Sequence, residues 1–198
     1  MRYPYFCKGT EPIALPAKQW AFIISTGRTG TDFFTTLFNS EAVPDAWSLH
    51  EPRPAFRARS YQLTGRPHTR FERLYFQIPR QRWHRRRPES WYVETNYHLF
   101  AAIPLIREAF PHAWIIHVIR DGRAVVTSWL NKYRYITNDH ITPHCLPNDP
   151  ATQEWAYWNP LQKLSWYWKT VNELVAAQQP DLWLSFEQLF QHPYPDLY

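Results

Sequence analysis

The segment TGRTGT, residues 26–31, follows a short apolar run and precedes apolar residues at helical spacing. Gly27 and Gly30 allow a tight turn and a close approach of the backbone to a ligand. At the start of a helix the first amides lack intrahelical partners and carry the positive end of the helix dipole. Threonine hydroxyls and the guanidinium of Arg28 add further donors. The segment therefore predicts an anion-binding site; the alternative is a plain strand-to-helix turn with a threonine cap.

The spacing of this turn differs from that of the Walker A motif of nucleoside triphosphatases. In that motif two glycines are separated by four residues, and Lys and Ser or Thr follow. Here Gly30 follows Gly27 by three positions, and Thr31 stands where the lysine would be. The lysine that reaches the terminal phosphates is thus missing, which indicates a turn built for a different anionic group.

A second candidate anion site lies in WIIHVIRDGRAVVTSWLNKYR, residues 114–134. Arg120 is the first residue after an apolar run, and Ser128 lies eight positions further along. If a helix begins two or three positions after Arg120, Ser128 can lie on a face toward the same ligand. A guanidinium and a hydroxyl that converge on one point suit a phosphate. The alternative is that Arg120 and Asp121 only cap the helix and pair with each other.

Both segments occur where a predicted strand gives way to a predicted helix. The predicted strands are Trp20–Ser25, Ala46–Leu49, Trp91–Glu94, Trp114–Ile119 and Leu182–Phe186. The predicted helices are Thr31–Asn39, Leu99–Phe110 (bent or begun near Pro104), Arg123–Tyr133 and most of Gln153–Gln178, which Pro160 interrupts or starts; Asn138–Pro150 is a predicted loop. This alternation predicts an α/β three-layer sandwich with a central parallel sheet, in one domain spanning residues 1–198. In such a sheet ligands bind at the carboxyl edge of the strands.

Composition narrows the class of protein. The chain has 198 residues, of which 44% are hydrophobic and 20% charged, which is typical of a folded protein and not of a disordered one. No apolar run approaches about 18 residues, and the N-terminal residues make a poor signal peptide, so no transmembrane segment is expected. Two cysteines, Cys7 and Cys145, favour a reducing compartment and hence a cytoplasmic location. His140 and His144 lie in a proline-rich segment, and no metal site is expected.

The net charge of +5 is unevenly distributed. Eleven arginines lie at positions 53, 57, 59, 66, 70, 73, 80, 82, 85, 86 and 87. Residues 53–90 are therefore interpreted as an Arg-rich insertion, part helix and part loop. It forms either a solvated basic face or a surface for an anionic partner such as an acidic glycan, a nucleotide or a membrane. No zinc-finger, RNP or helix-turn-helix pattern is present, so nucleic acid is not the expected partner.

Together the two turns resemble those of the sulfotransferase family that uses 3′-phosphoadenosine 5′-phosphosulfate (PAPS). The family has a P-loop-like fold, and TGRTGT is similar to its 5′-phosphosulfate loop. RDGRAVVTS is similar to its 3′-phosphate site, with Gly122 where proline is usual. LSFEQLF, residues 184–190, and YVETNY, residues 92–97, resemble further family segments. The donor-binding residues that the resemblance implies are Thr26, Gly27, Arg28, Thr29, Gly30, Thr31 and Asp32 at the 5′ end, with Arg120 and Ser128 at the 3′-phosphate.

The resemblance also implies a reaction. A sulfuryl group would pass in line from PAPS to a hydroxyl or amine of an acceptor. The Arg-rich segment favours an acidic or large acceptor such as a saccharide, and small molecules such as phenols and lipids stay open. Such a transfer mainly requires that the reactants be positioned and that the developing negative charge be neutralised. Basic side chains such as Arg28 and helix amides would neutralise that charge, so no metal is expected.

The base for the acceptor is expected in SLHEPRP, after the second predicted strand, because the family often places a Glu or His there. Glu51 is the first candidate and His50 the second, since histidine titrates near neutral pH. The alternative is that Glu51 only pairs with Arg53 or Arg57. Glu94 and Asn96 are weaker candidates for acceptor contact, and either could be structural.

One departure from the family leaves other functions open. Many members have a Gly-rich, Lys-containing loop near the C-terminus that closes over the nucleotide, whereas this chain has no glycine after Gly122. Other residues or the arginine cluster would have to replace that loop, unless the chain is a shortened form. The two rival hypotheses are an ATP- and magnesium-dependent P-loop kinase-like enzyme and a non-catalytic anion or glycan binder on the same fold.

Overall fold

A computed structural model describes residues 18–53, 66–132 and 149–191. The strands are β1 (Gln19–Ile24), β2 (Ala46–His50), β3 (Trp91–Thr95), β4 (Trp114–Ile119) and β5 (Leu182–Ser185). The helices are α1 (Thr31–Phe38), α2 (Arg70–Arg85), α3 (Ile103–Ala109), α4 (Gly122–Leu130), α5 (Ala151–Glu154), α6 (Pro160–Ala177) and α7 (Phe186–Gln191), with 3-10 turns at Tyr97–Leu99 and Trp155–Tyr157. The five strands form one parallel sheet in the order β2-β3-β1-β4-β5. The predicted α/β class is confirmed.

Helices pack on both faces of the sheet. Alternate residues of the central strand β1 point to opposite faces and therefore belong to two different cores. Phe22 and Ile24 belong to a core formed with α2, α3, α4 and α6. Ala21 and Ile23 belong to a second core, which includes Phe34 of α1. Strand β1 is buried on both faces along most of its length, which is why its apolar run was recognisable in the sequence. The molecule is therefore a three-layer sandwich.

The observed boundaries differ from the predicted ones where local capping decides them. Helix α3 begins at Ile103 and not at Leu99, because Pro104 fits the first turn of a helix but not its interior. Helix α4 begins at Gly122, because the side chain of Asp121 accepts hydrogen bonds from the amides that follow it. Asn159 caps α6 in the same way, and Pro160 starts that helix.

Helix α2 lies within the predicted Arg-rich insertion and packs against the core. Its residues Phe76, Arg80 and His84 are buried, so this helix is an integral layer of the sandwich. Residues 54–65, and most of the predicted loop Asn138–Pro150, lie outside the described residues. Within the described parts of the chain, no helix combines the length and the apolar character needed to cross a lipid bilayer.

The strand order places the predicted site at a switch point of the sheet. Strands β1 and β4 are neighbours. The connection that leaves β1 runs toward β2 on one side of the sheet, whereas the connection that leaves β4 runs toward β5 on the other. A crevice opens at such a point beyond the carboxyl ends of the strands. The turn after β1, residues 25–30, lies at this edge and leads directly into α1.

Candidate functional site

The turn between β1 and α1 has the backbone of an anion-binding loop. Gly27, Arg28 and Gly30 all have positive φ, at 73°, 57° and 75°. Left-handed residues close together turn successive amides toward one point, as in known anion-binding concavities. The surrounding side chains also require glycine at both positions. A Cβ added at position 27 would lie 2.9 Å from Trp129, and one added at position 30 would lie 2.6 Å from Phe186.

The N-terminus of α1 suits an external anion because no side chain caps it. Its first intrahelical bond runs from the Phe34 amide to the Gly30 carbonyl, at 3.1 Å. By contrast, side chains cap α2, α4 and α6. Thr29 is fully buried, and its Oγ1 has no hydrogen-bond partner among the described residues. Such a hydroxyl is costly unless a ligand satisfies it, so the residues of this turn fit an anionic group.

The second turn, at the end of β4, meets the first. One terminal nitrogen of Arg120 (Nη1) donates to the carbonyl oxygen of Arg28 at 2.7 Å. Nε of Arg28 donates to Oγ of Ser128 at 2.8 Å. This bond does not involve the two terminal amino groups of Arg28. The predicted residues of both turns therefore converge at one point of the sheet edge, although they lie roughly ninety residues apart in the chain.

Asp121 has a structural task in the second turn. It pairs with Arg123 at 2.7 Å and caps α4, and it does not pair with Arg120 as the sequence-based alternative supposed. The hydrogen bond from the Arg123 side chain, helped by backbone amides, lowers the pKa of Asp121 to about 2. Its own amide donates to Glu187 at 2.8 Å. Asp121 is thus held as an anion paired with Arg123, and Arg120 remains directed toward the first turn.

Aromatic residues that the sequence did not single out hold the two turns together. Phe186 packs against Gly30 on one side and against the guanidinium of Arg120 on the other, with 4.7 Å from the Arg120 Cζ to the ring centre. Tyr167 and Trp168 of α6 donate to the carbonyl oxygens of Thr26, at 2.9 Å, and Arg120, at 3.1 Å. The similarity of LSFEQLF to the family was the only signal for any of these residues.

Two open cavities border the second turn. One, of about 640 Å³, is lined by Arg120, Asp121, Arg123, Ala124, Phe186 and Glu187. The other, of about 750 Å³, extends along α4 and α6 past Thr127, Ser165 and Trp168. Both volumes are in the range of small-molecule sites. Residues of the TGRTGT turn do not line either cavity, so the cavities supply room beside Arg120 and not over α1.

The candidate bases lie beside the first turn of α1. Glu51, directly after β2, has a φ of 44°, and its amide donates to the Thr95 carbonyl at 3.0 Å. His50 Nε2 lies 3.4 Å from Glu51 Oε1 and 3.3 Å from Asp32 Oδ1. His98, which the sequence did not single out, places its Nε2 3.6 Å from the other Glu51 oxygen, Oε2. The Asp32 side chain itself is largely exposed.

Glu94 and Asn96, the weaker candidates for acceptor contact, are structural. Both are fully buried. The Glu94 carboxylate accepts two bonds from Arg80, at 2.6 and 2.8 Å, and others from Tyr92 and Asn96. Although burial works against the charged form, Glu94 raises the pKa of the Arg80 guanidinium. One of the eleven arginines therefore neutralises a buried carboxylate and does not contribute to the basic surface.

Metal ligands do not cluster in the described ranges 18–53, 66–132 and 149–191, where no group of three or more His, Cys, Asp or Glu side chains could hold an ion. His140 and His144 lie outside them.

Comparison with known proteins gives a match to one protein family. A model of the sulfotransferase family matches residues 21–193. None of the curated proteins compared matches the chain. Twelve chains of solved structures match it. One is a sulfotransferase from Alicyclobacillus acidocaldarius, at 14% sequence identity and a TM-score of 0.47, over 89% of this chain and 76% of that chain. Because the family match spans most of the sequence and includes both turns, the chain belongs to the sulfotransferase family.

Proposed function

We propose that the protein is a PAPS-dependent sulfotransferase that transfers a sulfuryl group to a hydroxyl or amine of an acceptor. One observation carries the proposal: two anion-binding turns meet at one sheet edge, through the 2.7 Å bond from Arg120 to the Arg28 carbonyl and the 2.8 Å bond from Arg28 to Ser128. A donor that carries anionic groups at both ends of one nucleotide needs two such turns side by side.

The residues divide naturally between the two ends of the donor. The uncapped start of α1, with Thr29 Oγ1 and the terminal amino groups of Arg28, would hold the 5′-phosphosulfate. Arg120 and Ser128 would hold the 3′-phosphate. Charge-assisted bonds from guanidinium groups and helix amides stabilise the negative charge that develops during in-line transfer. In this proposal those groups do the work of neutralisation without a metal ion.

Glu51 is the proposed base that accepts the acceptor's proton, and His50 is the second candidate. A positive φ costs a residue other than glycine about 1–2 kcal/mol. Such strain clusters at functional sites, where the surroundings hold it in place. At Glu51 it turns the carboxylate toward His50 and His98, beside the first turn of the proposed donor helix. At this position a base would reach an acceptor that faces a group bound at the start of α1.

The acceptor is proposed to be a small molecule or a saccharide, including ones with anionic groups. Helix α2 runs from the carboxyl end of β2 to the amino end of β3, so only its first turn lies on the site's side of the sheet. Arg53 and Arg70 are exposed on that side, whereas Arg82, Arg85 and Arg86 lie toward the opposite edge. A cytoplasmic location is also part of the proposal, on the basis of the two cysteines in the sequence.

The first prediction tests the nucleotide assignment. The desulfated product, 3′-phosphoadenosine 5′-phosphate (PAP), should bind in calorimetry, and Arg120→Ala should weaken it by about tenfold or more. The reason is the loss of a charge-assisted phosphate contact worth about 1.5–3 kcal/mol. Arg85→Ala is the matched control, because it removes the same charge from an exposed position at the far end of α2. Its affinity for PAP should equal that of the wild type.

Two results would contradict this assignment. Equal affinity for PAP and for adenosine monophosphate, which lacks the 3′-phosphate, would show that Arg120 and Ser128 do not recognise that group. Binding of ATP that requires magnesium, with no binding of PAP, would instead favour the kinase-like alternative.

A further inference from the structure

A chain of hydrogen bonds joins the first turn of α1 to the histidine beside Glu51. The Thr35 hydroxyl donates to the carbonyl oxygen of Thr31 at 3.0 Å. The hydroxyls of Thr35 and Thr95 are 2.7 Å apart, and Thr95 Oγ1 is 2.9 Å from His50 Nδ1. Thr95 ends β3 and is fully buried. It is therefore the one link in this chain that contacts both α1 and His50.

Each contact in this chain is short enough for a hydrogen bond. A buried hydroxyl is costly to leave unpaired, and Thr95 is satisfied here by Thr35 on one side and by His50 on the other. The chain therefore fixes the His50 ring relative to α1.

The opposite nitrogen of His50 faces the proposed base. Nε2 lies between Oδ1 of Asp32, on α1, and Oε1 of Glu51, at 3.3 and 3.4 Å. From the turn after β3, His98 faces the other oxygen of Glu51 at 3.6 Å. The His50 ring therefore lies against the Glu51 carboxylate, and its orientation helps to set where that carboxylate lies.

We propose that Thr95 is a positioning residue for sulfuryl transfer. Through its contact with Nδ1, it keeps the His50 ring turned toward Glu51 and ties that orientation to the helix whose N-terminus is proposed to bind the donor. The proposal rests on the function proposed above. It adds a residue that contacts neither donor nor acceptor, and it predicts that the donor and the base are kept in register through a side chain of β3.

The test is Thr95→Val, which keeps the shape of the side chain and removes the hydroxyl. The kcat for PAPS-dependent sulfation should fall by about tenfold, as expected when one buried hydrogen bond is lost from the reacting state. The KM for PAPS and the affinity for PAP should stay at wild-type values, because Thr35 keeps its bond to Thr31.

Two further variants separate positioning from stability. Thr95→Ser retains a hydroxyl and should restore the kcat. Thr36→Val removes an exposed hydroxyl from the same helix, one that donates to the backbone of Asp32, and it should leave the kcat unchanged. Unfolding by urea measures any loss of stability separately. A folded Thr95→Val variant with wild-type kcat would overturn the proposal.

The proposed function fails in a different way. If the wild type neither binds PAP nor transfers a sulfuryl group, the sulfotransferase assignment itself is wrong. If it does both while Thr95→Val and the wild type behave alike, only the role of Thr95 is refuted.

Discussion

At the scale of single residues, one aromatic ring packs between the two turns proposed to bind the donor. Phe186 stands directly after β5, with its ring against the α-carbon of Gly30 and under the guanidinium of Arg120. A guanidinium over a ring gains about 0.5–2 kcal/mol and loses little of its ability to donate hydrogen bonds. The contact therefore fixes the position of Arg120 while its donors remain directed at the edge of the sheet.

Gly30→Ala should damage the site more than it damages the fold. The new Cβ would lie 2.6 Å from Phe186 Cε2, and the φ of 75° adds about 1 kcal/mol of strain for alanine. Since Phe186 must move, Arg120 moves with it, and PAP affinity should fall at least about tenfold. Calorimetry checks the affinity. Gly122→Ala serves as the comparison, because φ is ordinary there and the Cβ would meet Trp168 at 3.0 Å. An equal loss in both variants would argue against the Phe186 mechanism.

At the scale of elements, helix α6 holds the two turns in register. Its consecutive residues Tyr167 and Trp168 bond to the carbonyl oxygens of Thr26 and Arg120. The same helix contributes Val171 and Val175 to the larger core, so its position is set by apolar packing. A rigid element that contacts both turns keeps their spacing constant, which a donor that bridges them requires.

Tyr167→Phe should loosen the first turn without disturbing the core. The variant removes the 2.9 Å bond to the buried Thr26 carbonyl and leaves that oxygen unsatisfied. The free energy of unfolding should decrease by about 1–3 kcal/mol, and PAP affinity should decrease as well. Urea unfolding and calorimetry measure the two effects. Tyr157→Phe is the matched control, since that side chain is 88% exposed. If it weakened PAP binding to the same extent, the bond to Thr26 would not be the cause.

At the scale of the whole molecule, the features that could be predicted from the sequence are those that short-range interactions determine. The strands and the two turns were recognisable because apolar runs, glycines and caps act over a few residues. The contacts of Tyr167 with Thr26, of Phe186 with Gly30 and of His98 with Glu51 join distant segments that only the sheet order brings together. The same is true of Arg80, whose partner Glu94 lies on β3. Its burial could not be inferred from a run of arginines that looks like a surface.

The sheet order also explains why the site residues were easier to predict than the residues that hold them in place. Any parallel sheet brings the turns after its strands to one edge, so Arg28 and Arg120 were expected there before their distance was known. Helices on the faces obey no such rule. Which residues of α6 and α7 reach the edge depends on where each helix packs against the sheet, and that is decided by the two cores.

One buried histidine makes the stability of the whole sandwich depend on pH. His117 of β4 is fully buried, with Nε2 3.0 Å from Oδ1 of Asn172 on α6. Burial lowers the pKa of His117 to about 4, although the bond to Asn172 acts in the opposite direction. In the unfolded chain the pKa is about 6.5. The folded state thus binds this proton more weakly than the unfolded state, so the contribution is fully present above about pH 6.5 and is lost as the pH falls to about 4.

The variant His117→Gln should therefore flatten the acid side of the stability curve. Between pH 7 and pH 4 the wild type should lose about 3 kcal/mol more free energy of unfolding than the variant, from a pKa difference of about 2.5 units. Glutamine can still donate to Asn172, so the core contact is retained while the titrating group is removed. His112→Gln replaces an exposed histidine before β4 and should follow the wild-type curve. Urea unfolding at each pH gives the comparison, and parallel curves for His117→Gln and the wild type would show that His117 is not the group that couples protons to folding.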